Sequence, residues 1–303
     1  MRVTFLGTAA ARPTVGRNVS SLIVQREGDV MMFDCGEGTQ RQMMRYGTGF
    51  AFSDIFFSHL HADHFLGVIG LLRTLGLQAR EEPMDLWTPL GTAEVLKQGV
   101  ELGVERVPFE VRIHELEPGE AVERGVYDIV PFRTTHAGRS LGYAIVEHPR
   151  LGRFNAALAR EMGIPEGPLW GKLHHGEAVE VDGRTIRAED VVGPERPGRK
   201  LVYTGDTRPC APTREHARDA DLLIHEATFA HEEAERAVAT GHSTAREAAE
   251  VASAAGVHRL ALTHFSPRYA DDPRALEREA RAVFPETVAA YDGLVIEVPY
   301  RDA

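Results

Sequence analysis

Residues Ile55–His64 read IFFSHLHADH. An apolar run with strand character, Ile55–Ser58, stops at a polar loop that carries His59, His61, Asp63 and His64. The chain has 14 histidines in 303 residues, so an HxHxDH cluster is improbable by chance. Two imidazoles at i and i+2 on a tight loop can reach one cation. The Asp–His pair that follows can turn towards a second cation close by. Imidazole and carboxylate together suit zinc or another first-row divalent ion.

The same arrangement recurs outward from this stretch. Arg2–Leu6, Ser21–Gln25, Val30–Asp34, Val111–Leu116, Tyr127–Thr135, Leu141–Glu147, Lys200–Thr204, Leu222–His225, Arg259–Thr263 and Tyr291–Pro299 all read as strands. Phe65–Leu77 has helical length, and Thr244 with Glu247 has the spacing of a capping box opening a helix. Asp272–Pro273 opens a further helix to about Val283. Asp34, His59, His136, Asp206, Glu226 and His264 each lie at or just past a strand's C-terminal end. Sites are built on loops carried by a rigid sheet. Singly, a strand-end His or Asp is more often a turn residue; beside HLHADH the weight reverses. His59, His61 and His136 can hold one ion and Asp63, His64 and His264 another. That leaves Asp206 to bridge, the usual way to hold two cations about 3.5–4 Å apart.

The rest of the sequence bounds the function. Hydrophobic residues make up 43% and charged residues 26%, ordinary for a globular chain and not for a disordered, collagenous or coiled-coil one. Two cysteines, Cys35 and Cys210, cannot build a disulfide scaffold or a four-cysteine zinc site, and they suit a reducing cytosol. MRVTFLGTAA shows no signal peptide, and no apolar run of about 18 residues predicts a membrane helix, so the expected location is cytoplasmic. The balance of 34 Lys+Arg against 45 Asp+Glu, −11 overall, argues mildly against nucleic acid, although net charge does not say where the charges sit. Residues 150–199 are rich in Gly, Pro, Arg and His with little periodicity, and they read as an insert within a single domain, 1–303.

Taken together, these motifs resemble the metallo-β-lactamase superfamily, and within it the short form of the tRNase Z (ribonuclease Z) family. FLGTAAARPTVGRNVSSL (Phe5–Leu22), DCGEGTQRQ (Asp34–Gln42), FFSHLHADH, YTGDTRPC (Tyr203–Cys210), IHEATF (Ile224–Phe229), GHST (Gly241–Thr244) and GIPEGPLWGKL (Gly163–Leu173) carry the resemblance in order, across the chain. It implies an α/β fold of αββα type: two mixed sheets face to face, helices outside, plus a flexible inserted arm. It implies a homodimer holding two divalent ions per chain, zinc by preference, on His59, His61, Asp63, His64, His136, Asp206 and His264. It also implies a metal-dependent phosphodiesterase that removes the 3′ trailer from precursor tRNA, leaving a tRNA 3′-hydroxyl and a 5′-phosphate trailer. In that reaction a metal-held hydroxide attacks phosphorus and Asp63 acts as base. His242 protonates the departing oxygen, and Glu226 orients His242.

Asp34 is expected to accept a hydrogen bond from a liganding imidazole, while His225, His231, His174 and His175 read as solvated or structural. Arg17, Asn18 and Lys172 are the expected RNA contacts, the insert serving as a tRNA-binding arm with Arg153, Arg160, Arg184, Arg187, Arg196 and Arg199. The family's Pro-x-Lys-x-Arg-Asn loop appears here with Val15 at the lysine position. Two rivals keep part of the pattern. A dinuclear hydrolase of small phosphodiesters, esters or lactones needs the metals but not the insert. A metal-free tRNA-binding subunit would not need the full ligand set.

Overall fold

The computed structural model describes residues 1–104, 106–136, 138–269 and 272–301. One compact unit comprises Met1–Val146 and Arg199–Pro299, and it contains two seven-stranded sheets. The strands of this unit and of the insert are β1 (Arg2–Gly7), β2 (Ser21–Arg26), β3 (Asp29–Cys35), β4 (Asp54–Phe56), β5 (Met84–Pro89), β6 (Val111–Leu116), β7 (Val122–Glu123), β8 (Tyr127–Arg133), β9 (Leu141–Glu147), β10 (Val179–Val181), β11 (Arg184–Ile186), β12 (Lys200–Tyr203), β13 (Leu222–Glu226), β14 (Leu260–Thr263), β15 (Thr287–Ala289) and β16 (Val295–Glu297). The first sheet has the order β16-β1-β2-β3-β4-β5-β6 and the second β15-β14-β13-β12-β9-β8-β7. Both are mixed: β3 to β6 run parallel, as do β12 to β15, and their other registered pairs are antiparallel.

The strands are apolar on both faces because both are covered. Met31 and Phe33 of β3 enter the core between the sheets, whereas Met32 and Cys35 join the layer under the helices. Burial of each such Phe or Met is worth about 1.5–3 kcal/mol. Between the sheets, Phe33 stacks on Phe56 at 5.2 Å and Phe56 on Trp87 at 5.7 Å. Tyr143 tilts against Phe33 and Phe56, and its hydroxyl donates to the Phe57 carbonyl at 2.7 Å. Helices Thr39–Tyr46, Gly67–Leu77 and Ala93–Glu101 cover the first sheet through Met43, Leu71, Leu75 and Leu96. Ala211–Ala217, Ala245–Ala255 and Arg274–Arg281 cover the second. The predicted capping box is present: Thr244 accepts from the Glu247 N–H and Glu247 from the Thr244 N–H. Behind it, Ala245, Ala248, Ala249, Ala252 and Ala255 form the buried stripe.

Two elements differ from the sequence reading. The predicted helix Phe65–Leu77 is two segments, Ala62–Phe65 and Gly67–Leu77. The strand expected over Tyr291–Pro299 is confined to Val295–Glu297. Asp292 is instead committed to Thr8, Gln42 and the Asn18 N–H, and the chain turns at Gly293, with φ +89°. The insert, expected as a flexible arm, has internal order. Glu147–Gly198 is a folded unit in its own right, to which Tyr300 belongs through its ring under the Arg150 guanidinium. Helices Ala156–Glu161 and Pro168–His174 and the hairpin β10–β11 close over Ala159, Ile164, Leu173, Val179, Ile186 and Val191. Those apolar residues are spread too thinly along the chain to show a period.

The loop after β3 and the start of helix Gly67–Leu77 touch backbone to backbone. A Cβ on Gly67 would lie 1.9 Å from the Gly36 carbonyl oxygen. Gly67→Ala is therefore expected to destabilise the chain by about 1–3 kcal/mol, the usual cost of overpacking. Gly171, in helix Pro168–His174, has open space at its Cβ position. Gly171→Ala should be neutral or stabilising by up to ~1 kcal/mol. Thermal melts of the two variants check both; equal stability of Gly67→Ala and wild type would contradict the close approach.

Candidate metal centre

The parallel strands deliver their C-terminal ends to one edge of the sandwich. Asp34 is within β3 at its end, and His59, His61, Asp63 and His64 follow β4. His136 follows β8, Asp206 follows β12, Glu226 ends β13 and His264 follows β14. The chain brings all of them together, although they span more than 200 positions.

The groups sort into two sets around one carboxylate. The ligand atoms of His59, His61, His136 and Asp206 lie within 4.8 Å of one another, and so do those of Asp63, His64 and His264. Asp206 turns Oδ2 to the first set, 3.7 Å from His59 Nε2 and 3.7 Å from His136 Nε2. It turns Oδ1 to the second, 3.4 Å from His64 Nε2 and 3.3 Å from His264 Nε2. Asp63 Oδ2 stands 3.3 Å from His264 Nε2 and also accepts the Ala11 N–H at 2.7 Å.

Hydrogen bonds on the far side of each ring fix which nitrogen faces inward. His64 Nδ1 donates to Asp34 Oδ2 at 2.7 Å, and His136 Nδ1 to the Gly241 carbonyl at 2.9 Å. Thr228 Oγ1 donates to Glu226 Oε2, so it accepts from His264 Nδ1 at 2.9 Å. Ser58 Oγ donates to Asp34 Oδ2 and accepts from His59 Nδ1 at 3.1 Å. Each of these rings therefore points an Nε2 lone pair at the cluster. His61 presents Nδ1, 3.2 Å from His136 Nε2. Lone pairs facing lone pairs have no partner of their own, and His59 Nε2 and Asp206 Oδ1 are buried without a hydrogen bond. Buried polar atoms are rarely left so. A divalent cation satisfies every one of them, so the donor set fits such ions.

The shifts in proton affinity follow the same packing. Burial pushes His59 and His61 down, and the neighbouring imidazoles push them further. Burial resists charge on His64 as well, but Asp206 and Asp34 outweigh it and raise the ring well above the usual histidine range, so a cation bound at its Nε2 would displace a proton. Asp63 and Asp206 are raised by burial, yet the surrounding imidazoles hold both below the usual carboxylate range.

Beside this cluster His242 Nδ1 bonds Glu226 Oε1 at 2.9 Å. Glu226 is fully buried and also accepts from the N–H groups of Thr207, Thr228 and Ser243. Burial alone would lower His242, but the Glu226 carboxylate reverses that and raises it to about 9. His242 also falls within 4.8 Å of ligand atoms of Asp206 and His264, so position alone permits it to be a ligand. His242, Asp63 and His264 line an open cleft of about 230 Å³ with Ala10, Phe229 and Pro267.

Asp34 behaves as expected. It is fully buried, with φ +54°, and accepts from the Ser58 N–H, Ser58 Oγ, His64 Nδ1 and the Tyr203 hydroxyl at 2.7–2.8 Å. His225, His174 and His175 stay outside the cluster, with ring nitrogens against backbone carbonyls. Ser58, Tyr203 and Thr228, the hydroxyls that carry these bonds, belong to no motif of their own; their one signal in the sequence is that each lies within three positions of His59, Asp206 or Glu226.

One expected RNA contact, Arg17, needs correction. Arg17 is buried, its guanidinium donating to Thr8 Oγ1 at 2.7 Å and the Ala290 carbonyl at 2.9 Å over the Phe265 ring. It braces the loop from beneath and does not face solvent. Asn18 is half-buried, its N–H held by Asp292, whereas Lys172 is exposed on helix Pro168–His174. Arg199 of the predicted basic set is likewise buried, donating to the Val298 carbonyl.

Comparison with known proteins agrees with this geometry. The family profile described as the metallo-beta-lactamase superfamily matches residues 14–264. A protein of Gemmatimonas aurantiaca named ribonuclease Z is 61% identical over 299 residues, 98% of this chain and 95% of that one. Ribonuclease Z of Myxococcus xanthus is 54% identical over 304 residues, 100% of this chain and 99% of its own. The crystal structure of human tRNase Z, short form, superposes with a TM-score of 0.71 at 29% identity, covering 99% of this chain and 100% of that one. The chain belongs to the metallo-β-lactamase superfamily and, inside it, to the ribonuclease Z family.

The bracing by Asp34 makes a test. Asp34→Asn puts an amide where His64 Nδ1 needs an acceptor. Zinc affinity, measured by chelator competition, is expected to fall roughly 10–100-fold, the usual worth of such a partner. Unchanged affinity would mean that His64 needs no orienting carboxylate.

Proposed function

We propose that this chain is an endoribonuclease that removes the 3′ trailer from precursor tRNA. The observation that carries the reading is the Asp206 carboxylate, shared between two sets of inward-facing imidazoles, with the His242–Glu226 pair beside it. The relatives named ribonuclease Z and the likeness to human tRNase Z support the substrate class.

His59, His61 and His136 would hold one divalent ion and Asp63, His64 and His264 a second, with Asp206 serving both. We take both ions to be zinc, which the nitrogen-rich donors favour. When bound, such ions polarise a phosphoryl oxygen and lower the pKa of water. The protein's own groups manage the protons. Asp63, fixed by the Ala11 N–H, accepts one from the attacking water. As the P–O3′ bond breaks, the ribose 3′-oxygen needs a proton, and His242 supplies it from Nε2. Glu226 keeps that imidazole charged and turned towards the cleft. The products are a tRNA 3′-hydroxyl and a trailer with a 5′-phosphate. The folded insert, exposed at Arg153, Lys172, Arg184 and Arg187, supports a role in gripping tRNA by its phosphates. A cytoplasmic homodimer belongs to the same reading. Among the described residues, no helix is long and apolar enough to cross a membrane.

Incubation of the zinc-loaded chain with a trailer-bearing precursor tRNA should give one cut with the stated ends; hydrolysis of small diesters alone would overturn the substrate class. His242→Ala should keep its metal content and lose roughly 10²–10⁴-fold in cleavage rate. Loss of metal in that variant would make His242 a ligand instead. Replacing residues 152–198 with a short Gly/Ser linker should spare the metals and the hydrolysis of an activated diester. Precursor tRNA cleavage should then fall by orders of magnitude, because remote binding energy is lost. Undiminished tRNA processing would refute the insert's role.

A further inference from the structure

The loop that touches the metal centre leads to a second cleft. Ala11 gives its N–H to Asp63, and Ala10 and Ala11 line the catalytic cleft. A few residues on, Pro13–Asn18 form one wall of a separate cleft of about 240 Å³, whose opposite wall is helix Thr39–Tyr46 with Arg41 and Arg45. From Ala11 to Val15 the chain can span at most about 14 Å. The second cleft is therefore a few nucleotides' reach from the reacting phosphate.

The charge there departs from the rest of the molecule. Net charge is −11, yet Arg41 and Arg45 are exposed in this cleft against one exposed acid, Glu37, and exposed Arg12 directly precedes its wall residue Pro13. Among the described residues, none of the three arginines forms an ion pair. Arg45 only lies over the Tyr46 ring, 5.5 Å from its centroid. Arg41 and Arg45 stand at i and i+4 on one helix face, where like charges oppose helix formation. Arg41 and Arg45 thus form an unpaired cationic pair that folding does not require. A planar guanidinium binds a phosphodiester through two N–H groups at once.

We propose that Arg41 and Arg45, with Arg12 at the loop, hold backbone phosphates of the substrate RNA a few nucleotides from the scissile bond. The proposal rests on the endoribonuclease reading and names positioning residues for it. The contact is with phosphate, so it orients the strand and carries no sequence preference. Arg17, buried beneath the loop, keeps the loop in place to face them.

The test compares wild type, Arg41→Gln/Arg45→Gln, Arg41→Lys/Arg45→Lys, and Arg259→Gln, a surface arginine just before β14, at the end away from His264. All are zinc-loaded and assayed on precursor tRNA and on bis(p-nitrophenyl) phosphate. The double Gln variant should show a KM for tRNA raised roughly tenfold with kcat within about twofold of wild type. Its slope of log(kcat/KM) against log[salt] should be shallower by about 1.4–1.8, two phosphate contacts' worth. Its diesterase activity should match wild type, the double Lys variant should retain most of the slope, and Arg259→Gln should behave as wild type. Wild-type KM and slope in the double Gln variant would overturn the proposal while leaving the activity standing. Loss of diesterase activity in it would also overturn the proposal, by making the arginines part of the metal centre's support. No tRNA cleavage by wild type would refute the activity itself, and the arginine cleft with it.

Discussion

One buried carboxylate ties the sandwich to its site. Asp34 belongs to the first sheet, and its Oδ2 accepts from Ser58 and His64 after β4 and from Tyr203 of β12 in the second sheet. A carboxylate taken out of water without partners would cost several kcal/mol. Here its two oxygens accept four hydrogen bonds, so the residues that donate them are held in place. The same bonds orient His64 and, through Ser58, His59. Sheet-to-sheet alignment and imidazole orientation are therefore one constraint, which is why the cluster forms at this edge.

The cluster itself works against folding. His59, His64, His264 and Asp206 are buried with their lone pairs converging, and His59 Nε2 and Asp206 Oδ1 are left without donors. The surrounding apolar layers and the backbone contact of Gly36 with Gly67 supply the rigidity that keeps these groups from turning away. A ligand that binds only the folded state stabilises it in proportion to its affinity. Cations at this site are thus expected to matter for stability as well as for chemistry. His242 and Glu226 sit beside the cluster, with Glu226 held by the Thr207, Thr228 and Ser243 N–H groups.

Much of this was legible because strand ends are legible. Apolar runs that break at His59, His136, Asp206 and His264 fix where each residue emerges, and parallel strands then bring the ends together. What was not legible depends on partners distant in sequence. Arg17 looks like a surface cation until Thr8, Ala290 and Phe265 close around it. Asp292 breaks the last strand because it is needed by Thr8, Gln42 and Asn18. The insert's core is assembled from single apolar residues such as Ile164, Leu173 and Ile186, each on a different element. None of these contacts leaves a periodic trace in its own segment.

Under the proposed function one carboxylate, Asp206, would serve two cation positions. Anomalous diffraction at the zinc edge from zinc-loaded crystals decides the matter. Two peaks per chain are expected, roughly 3.5–4 Å apart, one beside Asp206 Oδ2 near His59, His61 and His136 and one beside Oδ1 near Asp63, His64 and His264. A single peak, or two peaks of which Asp206 touches only one, would contradict this.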